Sequence, residues 1–162
     1  MSPLLRLFVY GSLKMGECND FVLKRWVERF EEARTQGEMR LRPDRYPSLF
    51  LPTYGELGSA EYARDLGLES APVCRQGHLV KGQLLYLREG REALPVLDHF
   101  EGYFPGGRSE YQRVAVSVET RDGLVPCWTY TGVGRPVPGW PLLQEWPPPE
   151  MEREPEPFEH GL

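Results

Sequence analysis

Residues 7–14 have the sequence LFVYGSLK. Four apolar or aromatic residues form a short β-strand pattern that ends at Tyr10, and Gly11 then allows the chain to turn. In such a turn the backbone N–H groups of Gly11, Ser12 and Leu13 can face a ligand, and donors of this kind hold an anion or a developing oxyanion. A tight strand-to-loop turn without a ligand is the alternative interpretation, and the rest of the chain has to decide between the two.

The bulk composition predicts one soluble domain. At 162 residues the chain is long enough to bury a substantial core. The net charge of -5 and the pI of 5.3 argue against a general nucleic-acid binder, which usually carries a basic face. No segment approaches the roughly 20 apolar residues that span a bilayer, and the N-terminal apolar run is too short for a signal peptide. We therefore expect a cytoplasmic protein that binds neither nucleic acid nor membrane.

The cysteines and histidines predict no metal site. Cys18, Cys74 and Cys127 are odd in number and far apart, which fits neither a disulfide framework nor a CxxC zinc site. The three histidines also lack ligand spacing. Cys127 lies within a predicted strand, and we interpret it as a core residue rather than a nucleophile.

The first half of the chain predicts one helix and several short strands. Apolar residues near helical spacing, with Asn19 or Asp20 as a cap, predict a helix over Cys18–Arg34. Glu38–Arg42 and Ser48–Leu51 have strand patterns. The weaker pattern of residues 55–77 predicts a surface insertion with a short helix at Glu61–Leu66.

The second half predicts strand, helix and hairpin. His78–Leu87 is predicted as a strand in which Gly82 marks a bulge or a close backbone approach. Arg91–Phe100 is an amphipathic helix, and the hairpin signal of residues 121–123 joins strands Tyr111–Glu119 and Leu124–Thr131. This order favours an α+β fold, a small mixed fold with a barrel-like, mostly antiparallel sheet flanked by helices.

The composition changes beyond residue 135. Prolines and acidic residues dominate, so we predict a domain over residues 1–135 and a proline-rich extension over 136–162 without regular structure. Four apolar side chains are expected to pack this extension over the domain: Trp140, Leu142, Leu143 and Trp146.

Two carboxylates are the candidate catalytic groups. Asp98 and Glu101 are three residues apart and share a helix face. Beside Phe100 and Tyr103 such a carboxylate is partly desolvated, which raises its pKa toward the range of a general acid–base. Solvated or capping carboxylates are the alternative interpretation. Ser12 follows a glycine but lacks the nucleophile-elbow pattern of serine hydrolases.

Four motifs together resemble the gamma-glutamylcyclotransferase-like family, over roughly Leu5 to Gly132. They are Tyr10–Leu13, Leu97–Tyr103, Tyr111–Arg113 and Trp128–Tyr130. The family pattern is a strand ending Tyr-Gly-Ser/Thr-Leu, a helix ending Leu-Asp-x-x-Glu-Gly, then Tyr-x-Arg and a strand ending in Tyr.

The resemblance implies a barrel-like sheet around a cavity and a reaction without cofactor. In that reaction the α-amine of a small gamma-glutamyl substrate attacks its own side-chain amide carbonyl, which releases 5-oxoproline and a free amine or amino acid. By the same resemblance, Glu101 shuttles the proton, and the backbone of Tyr10, Gly11, Ser12 and Leu13 holds the substrate. Tyr111 and Tyr130 match positions near the pocket.

Two alternatives stay open at this stage. The protein is either this enzyme or a non-catalytic member of the same fold that binds a small ligand or a partner protein. The loop Phe104–Glu110, which follows the candidate base, is either a lid or an ordinary connection. The oligomeric state is not predicted.

Overall fold

The computed structural model describes residues 3–149 and 151. Five strands close a barrel in the spatial order β2-β4-β1-β6-β5, and β5 returns to pair with β2. Their bounds are β1 Leu5–Val9, β2 Val27–Leu41, β4 His78–Leu87, β5 Tyr111–Thr120 and β6 Gly123–Gly132. The β1–β6 pair is parallel and the other barrel pairs are antiparallel. The predicted α+β fold with a barrel-like sheet is confirmed.

The elements outside the barrel include a short strand and two helices. The short strand β3 (Pro47–Phe50) extends the sheet from the end of β2. Helix α1 (Tyr62–Asp65) lies within the predicted short helix, and helix α2 (Gly90–Glu101) covers the one predicted over Arg91–Phe100. Within the described part of the chain, no helix is long and apolar enough to cross a membrane.

The predicted helix over Cys18–Arg34 is wrong. Only two short 3-10 turns, Asp20–Val22 and Lys24–Trp26, precede the 15-residue strand β2. The first half of β2 is mostly exposed, so its charged residues resembled the solvated face of a helix. Its strand character comes from a partner distant in sequence, because β2 pairs with β4 from Val27↔Leu87 to Gly37↔His78.

Gly82 marks a close backbone approach between neighbouring strands. A Cβ atom at this position would lie 2.4 Å from the carbonyl oxygen of Val9 on β1. Any side chain would therefore push β4 away from the strand that leads into residues 10–14.

The segment that follows β3 supplies a missing partner for β5. β2 pairs with β5 only at Ala33 and Arg34. Farther along β5, the amides of Gly55 and Gly58 donate to the carbonyls of Ala115 and Arg113, each at 2.7 Å. The predicted insertion thus continues the hydrogen bonding of the barrel.

The C-terminal extension packs on the barrel through Trp146 and Leu143. Both side chains are buried, whereas Leu142 is half exposed. The absence of regular structure predicted here is wrong for a two-residue strand, β7 (Leu142–Leu143), because its backbone finds partners at Met39 and Arg40 of β2. The division of the chain at residue 135 stays a prediction, and residues 150 and 152–162 of the extension lie outside the described residues.

Candidate functional site

Helix α2 carries Asp98 and Glu101 into the core. Its apolar face, which includes Leu94 and Leu97, is fully buried, and this packing fixes the orientation of the helix. The helix ends at Gly102, whose φ of 69° is left-handed and whose N–H bonds back to the last turn. Such a terminus favours glycine, so the Glu-Gly pair places Glu101 in the last turn of the helix, on its buried face.

Glu101 is a buried carboxyl group without a hydrogen-bond partner. Its relative exposure is 0%, and neither carboxyl oxygen is hydrogen-bonded to any of the described residues. Burial raises its pKa well above the ordinary value of 4.5; the positive charge of Arg42 opposes this, and Glu110 and Asp98 reinforce it. A buried polar group of this kind costs stability and calls for a functional explanation.

Each of the three predicted tyrosines interacts electrostatically with Glu101. Burial raises the pKa of each phenol, and the charge of Glu101 raises it further for Tyr10, Tyr111 and Tyr130. The hydroxyl of Tyr10 donates to the Tyr130 carbonyl at 2.6 Å. The structure therefore brings together tyrosines from β5, β6 and the end of β1 with the glutamate of α2.

The turn after β1 is held by Asn19. The Asn19 backbone N–H donates to the Ser12 carbonyl at 3.0 Å, and its side-chain amide donates to the Ser12 hydroxyl at 2.9 Å. Ser12 and Leu13 are fully buried. Asn19, one of the two residues predicted to cap a helix, instead fixes the shape of the Gly11–Leu13 turn.

Arg113 forms the centre of a charged network that sequence reasoning missed. Its guanidinium donates to both oxygens of Asp98 at 2.8 and 3.1 Å and to Asp65 at 2.9 Å. The hydroxyl of Tyr130 also donates to Asp98, at 2.6 Å. The Tyr-x-Arg motif contained the signal, but its acidic partners lie on separate helices. Asp98 is thus engaged in a structural ion pair, whereas Glu101 is not.

Two cavities lie next to this region. One of about 410 Å³ is lined by residues that include Arg42, Glu110 and Tyr111. The other, of about 940 Å³, is lined by residues of the Phe104–Glu110 loop and by others that include Gly102 and Tyr103, which directly follow Glu101. Glu101 lines neither cavity, and Tyr10 and the Gly11–Leu13 turn do not line them either.

Two further features concern Cys127 and possible metal ligands. Cys127 is fully buried and its thiol donates to the Val116 carbonyl at 3.3 Å, as expected of a core residue. Within residues 3–149 and 151, no three metal-binding side chains are grouped so that they could hold an ion.

Comparison with known proteins agrees with this architecture. The profile of a family described as gamma-glutamyl cyclotransferase, AIG2-like, matches residues 7–147. A search of curated protein sequences found no match.

Three solved structures share the fold. An AIG2-like protein from Mus musculus is 23% identical over 89% of this chain and 88% of its own, with a TM-score of 0.60. A protein from Arabidopsis thaliana solved in solution is 22% identical over 89% and 77%, with a TM-score of 0.53. YkqA from Bacillus subtilis is 20% identical over 83% of this chain and 38% of its own, with a TM-score of 0.53. At these identities the likeness concerns the fold alone, and the family follows from the profile match: the chain belongs to the gamma-glutamyl cyclotransferase, AIG2-like family.

Proposed function

We propose that this protein is a cytoplasmic gamma-glutamyl cyclotransferase that releases 5-oxoproline from a small gamma-glutamyl amine or amino acid. The observation that carries the proposal is Glu101, a fully buried carboxyl group with no hydrogen-bond partner among the described residues and with a raised pKa. Family membership supports the same reaction class.

The reaction needs one group that accepts a proton and returns it. The substrate α-amine nitrogen attacks the γ-carbonyl carbon, and the bond from that carbon to the leaving nitrogen breaks. Once the α-ammonium has lost one proton to solvent, Glu101 takes the second proton, which the amine loses on attack, and delivers it to the leaving nitrogen, so atoms and charge balance without a cofactor. A carboxyl group whose pKa is raised toward neutrality transfers a proton in both directions at low cost.

Glu101 is also suited to bind the substrate. A buried carboxylate without a partner is destabilised, and the α-ammonium of a gamma-glutamyl group supplies the missing opposite charge. The interaction places the substrate amine next to the group that accepts its proton.

The Gly11–Leu13 turn is assigned to the carbonyl. In this proposal its backbone N–H groups stabilise the oxyanion that develops during attack, at roughly 10²–10³-fold in rate per well-placed donor. The hydrogen bonds from Asn19 to Ser12 keep the turn rigid, which such stabilisation requires. Because nucleophile and carbonyl belong to one molecule, folding the substrate around Glu101 supplies the orientation.

The substrate enters through the wall between Glu101 and the smaller cavity. Tyr111 lines that cavity and interacts electrostatically with Glu101. Because Glu101 is closed off in this structure, binding requires a shift of Tyr111 or of the adjoining Phe104–Glu110 loop.

A panel of gamma-glutamyl compounds assayed for 5-oxoproline by mass spectrometry tests the proposal, with the Glu101→Gln variant as the blank. We expect the wild type to turn over at least one compound. A variant that lacks the carboxyl group should turn over none. If no compound on the panel is turned over, the enzyme proposal fails and a binding role for the fold is favoured instead.

A further inference from the structure

We infer that the cavity of about 410 Å³ holds the leaving group of the substrate and selects leaving groups that carry a carboxylate, through Arg135. The inference rests on the proposed function, and it names the substrate class: gamma-glutamyl amino acids or peptides rather than gamma-glutamyl amines. The volume of the cavity is within the range of small-molecule sites, about 300–1,000 Å³.

The position of the cavity relative to Glu101 is the first support. Three groups that interact electrostatically with Glu101 also line this cavity: Arg42, Glu110 and Tyr111. Of these three, only Glu110 lines the larger cavity. In this inference, a gamma-glutamyl group held at Glu101 extends its leaving group past Tyr111 into the smaller cavity.

The charge balance of the cavity is the second support. Arg42 is already paired, with Asp44 at 3.0 Å and with Glu110 at 2.8 Å, and both of these carboxylates also line the cavity. Arg135 is the other cation that lines the cavity, and no carboxylate among the described residues pairs with it. The positive charge available to a ligand at this site is thus that of Arg135.

The apolar surface of the cavity is the third support. Trp140, Val137 and Phe50 line it beside Arg135. Val137 is exposed and Trp140 half-buried, so both can be covered by a ligand. An arginine next to an aromatic and aliphatic wall fits an amino acid with an apolar side chain and a free carboxylate. Arg135 and Trp140 both come from the segment after β6, so the C-terminal extension helps to form this site.

A matched pair of probes tests the inference. Gamma-glutamyl-leucine and gamma-glutamyl-3-methylbutylamine differ only in the carboxylate of the leaving group. Their dissociation constants are measured by calorimetry with the Glu101→Gln variant, in which turnover is strongly reduced and the lost contact to the α-ammonium weakens both probes alike, and kcat/KM is measured with the wild type. Arg135→Gln is the test variant. Arg91→Gln is the control, because Arg91 is exposed on α2 and lines neither cavity.

The expected preference for the carboxylate probe is roughly three- to tenfold, since Arg135 is partly solvated, and it shrinks as salt is raised. Arg135→Gln removes the preference and Arg91→Gln keeps it. Trp140→Ala weakens binding of both probes by a similar factor.

The outcomes separate this inference from the proposed function. Equal turnover and equal binding of the two probes overturn the leaving-group selection while leaving the cyclotransferase intact. A preference that survives Arg135→Gln also overturns it, because another cation is then responsible. If neither probe is turned over, calorimetry still decides: a carboxylate preference that depends on Arg135 supports the site, and its absence overturns it.

Discussion

Asp98 and Glu101 lie three residues apart on the buried face of one helix, yet their carboxyl groups have opposite environments. Asp98 accepts two hydrogen bonds from Arg113, at 2.8 and 3.1 Å, and one from Tyr130 at 2.6 Å. Both oxygens of Glu101 lack a hydrogen-bond partner among the described residues. Removing a buried carboxylate held by an arginine destabilises the fold, whereas a carboxylate without a partner is available to a substrate.

The first prediction concerns Glu101→Gln. We expect 5-oxoproline release to fall by roughly 10²–10⁴-fold, the usual contribution of a general acid–base, with far-ultraviolet circular dichroism unchanged. Glu92→Gln is the matched control, because Glu92 is exposed on the same helix. Comparable activity of the Glu101 variant and the wild type would remove Glu101 from the mechanism.

The second prediction concerns Asp98→Asn. This change leaves Arg113 without one of its two buried carboxylates, and breaking a buried ion pair costs roughly 3–5 kcal/mol. We expect the loss in the free energy of unfolding, measured by urea denaturation. Activity measured well below the unfolding midpoint should fall less than in Glu101→Gln. A variant as stable as the wild type but equally inactive would make Asp98 the proton carrier.

The third prediction concerns the pH profile of kcat/KM. Because burial raises the pKa of Glu101 well above 4.5, and the carboxylate is the form that accepts the proton, activity should be lost as pH falls through this raised value. The acid limb of the profile should therefore lie above the ordinary glutamate range.

Glu110→Gln should move that limb to lower pH. The change removes a negative charge that raises the pKa of Glu101, and it leaves Arg42, whose positive charge lowers that pKa, with one carboxylate partner instead of two. Both effects lower the pKa of Glu101. Glu119→Gln is the control, since Glu119 pairs with Arg34 where β5 meets β2. A shift to higher pH with Glu110→Gln would contradict the assignment of the limb to Glu101.

The fourth prediction concerns stability against pH. Between 4.5 and the raised pKa of Glu101 the native state binds more protons than the unfolded state, so the free energy of unfolding falls as pH rises. Below 4.5 both states are protonated and this dependence vanishes.

Glu101→Gln removes the contribution of this one group. The free energy of unfolding of the variant minus that of the wild type should therefore increase as pH rises above 4.5, in urea titrations at matched pH. A difference that stays constant across the range would show that the pKa of Glu101 is unchanged on folding.

The barrel was predictable where the strand pattern is local. His78–Leu87 is rich in apolar residues and directly follows Gly77, and the observed strand β4 has the same limits. β2 was not predictable, because its charged first half becomes a strand only by pairing with β4, which lies some 50 residues later in the sequence. Periodicity reports the face that is solvated, and it does not report a distant partner.

The candidate site, like the barrel, was predictable from the sequence only in part. Motifs pointed to Glu101, Tyr10, Tyr111 and Tyr130, and the structure brings these residues together. The role of Arg113 was not predictable, since Asp65 and Asp98 meet it only after α1 and α2 pack on β5. The catalytic and binding roles of the site residues stay predictions.

The last prediction tests whether the C-terminal extension is part of the folded unit. Trp146 is fully buried, its ring stacks on Tyr46 at 5.8 Å, and its indole N–H donates to the Arg45 carbonyl at 2.8 Å. Trp146→Ala should therefore lower the free energy of unfolding by roughly 3–5 kcal/mol, as for other buried aromatic residues. Leu142→Ala, in the same extension but half exposed, should cost far less. Urea denaturation of both variants measures the contrast, and equal small effects would show that the extension is only loosely attached to the barrel.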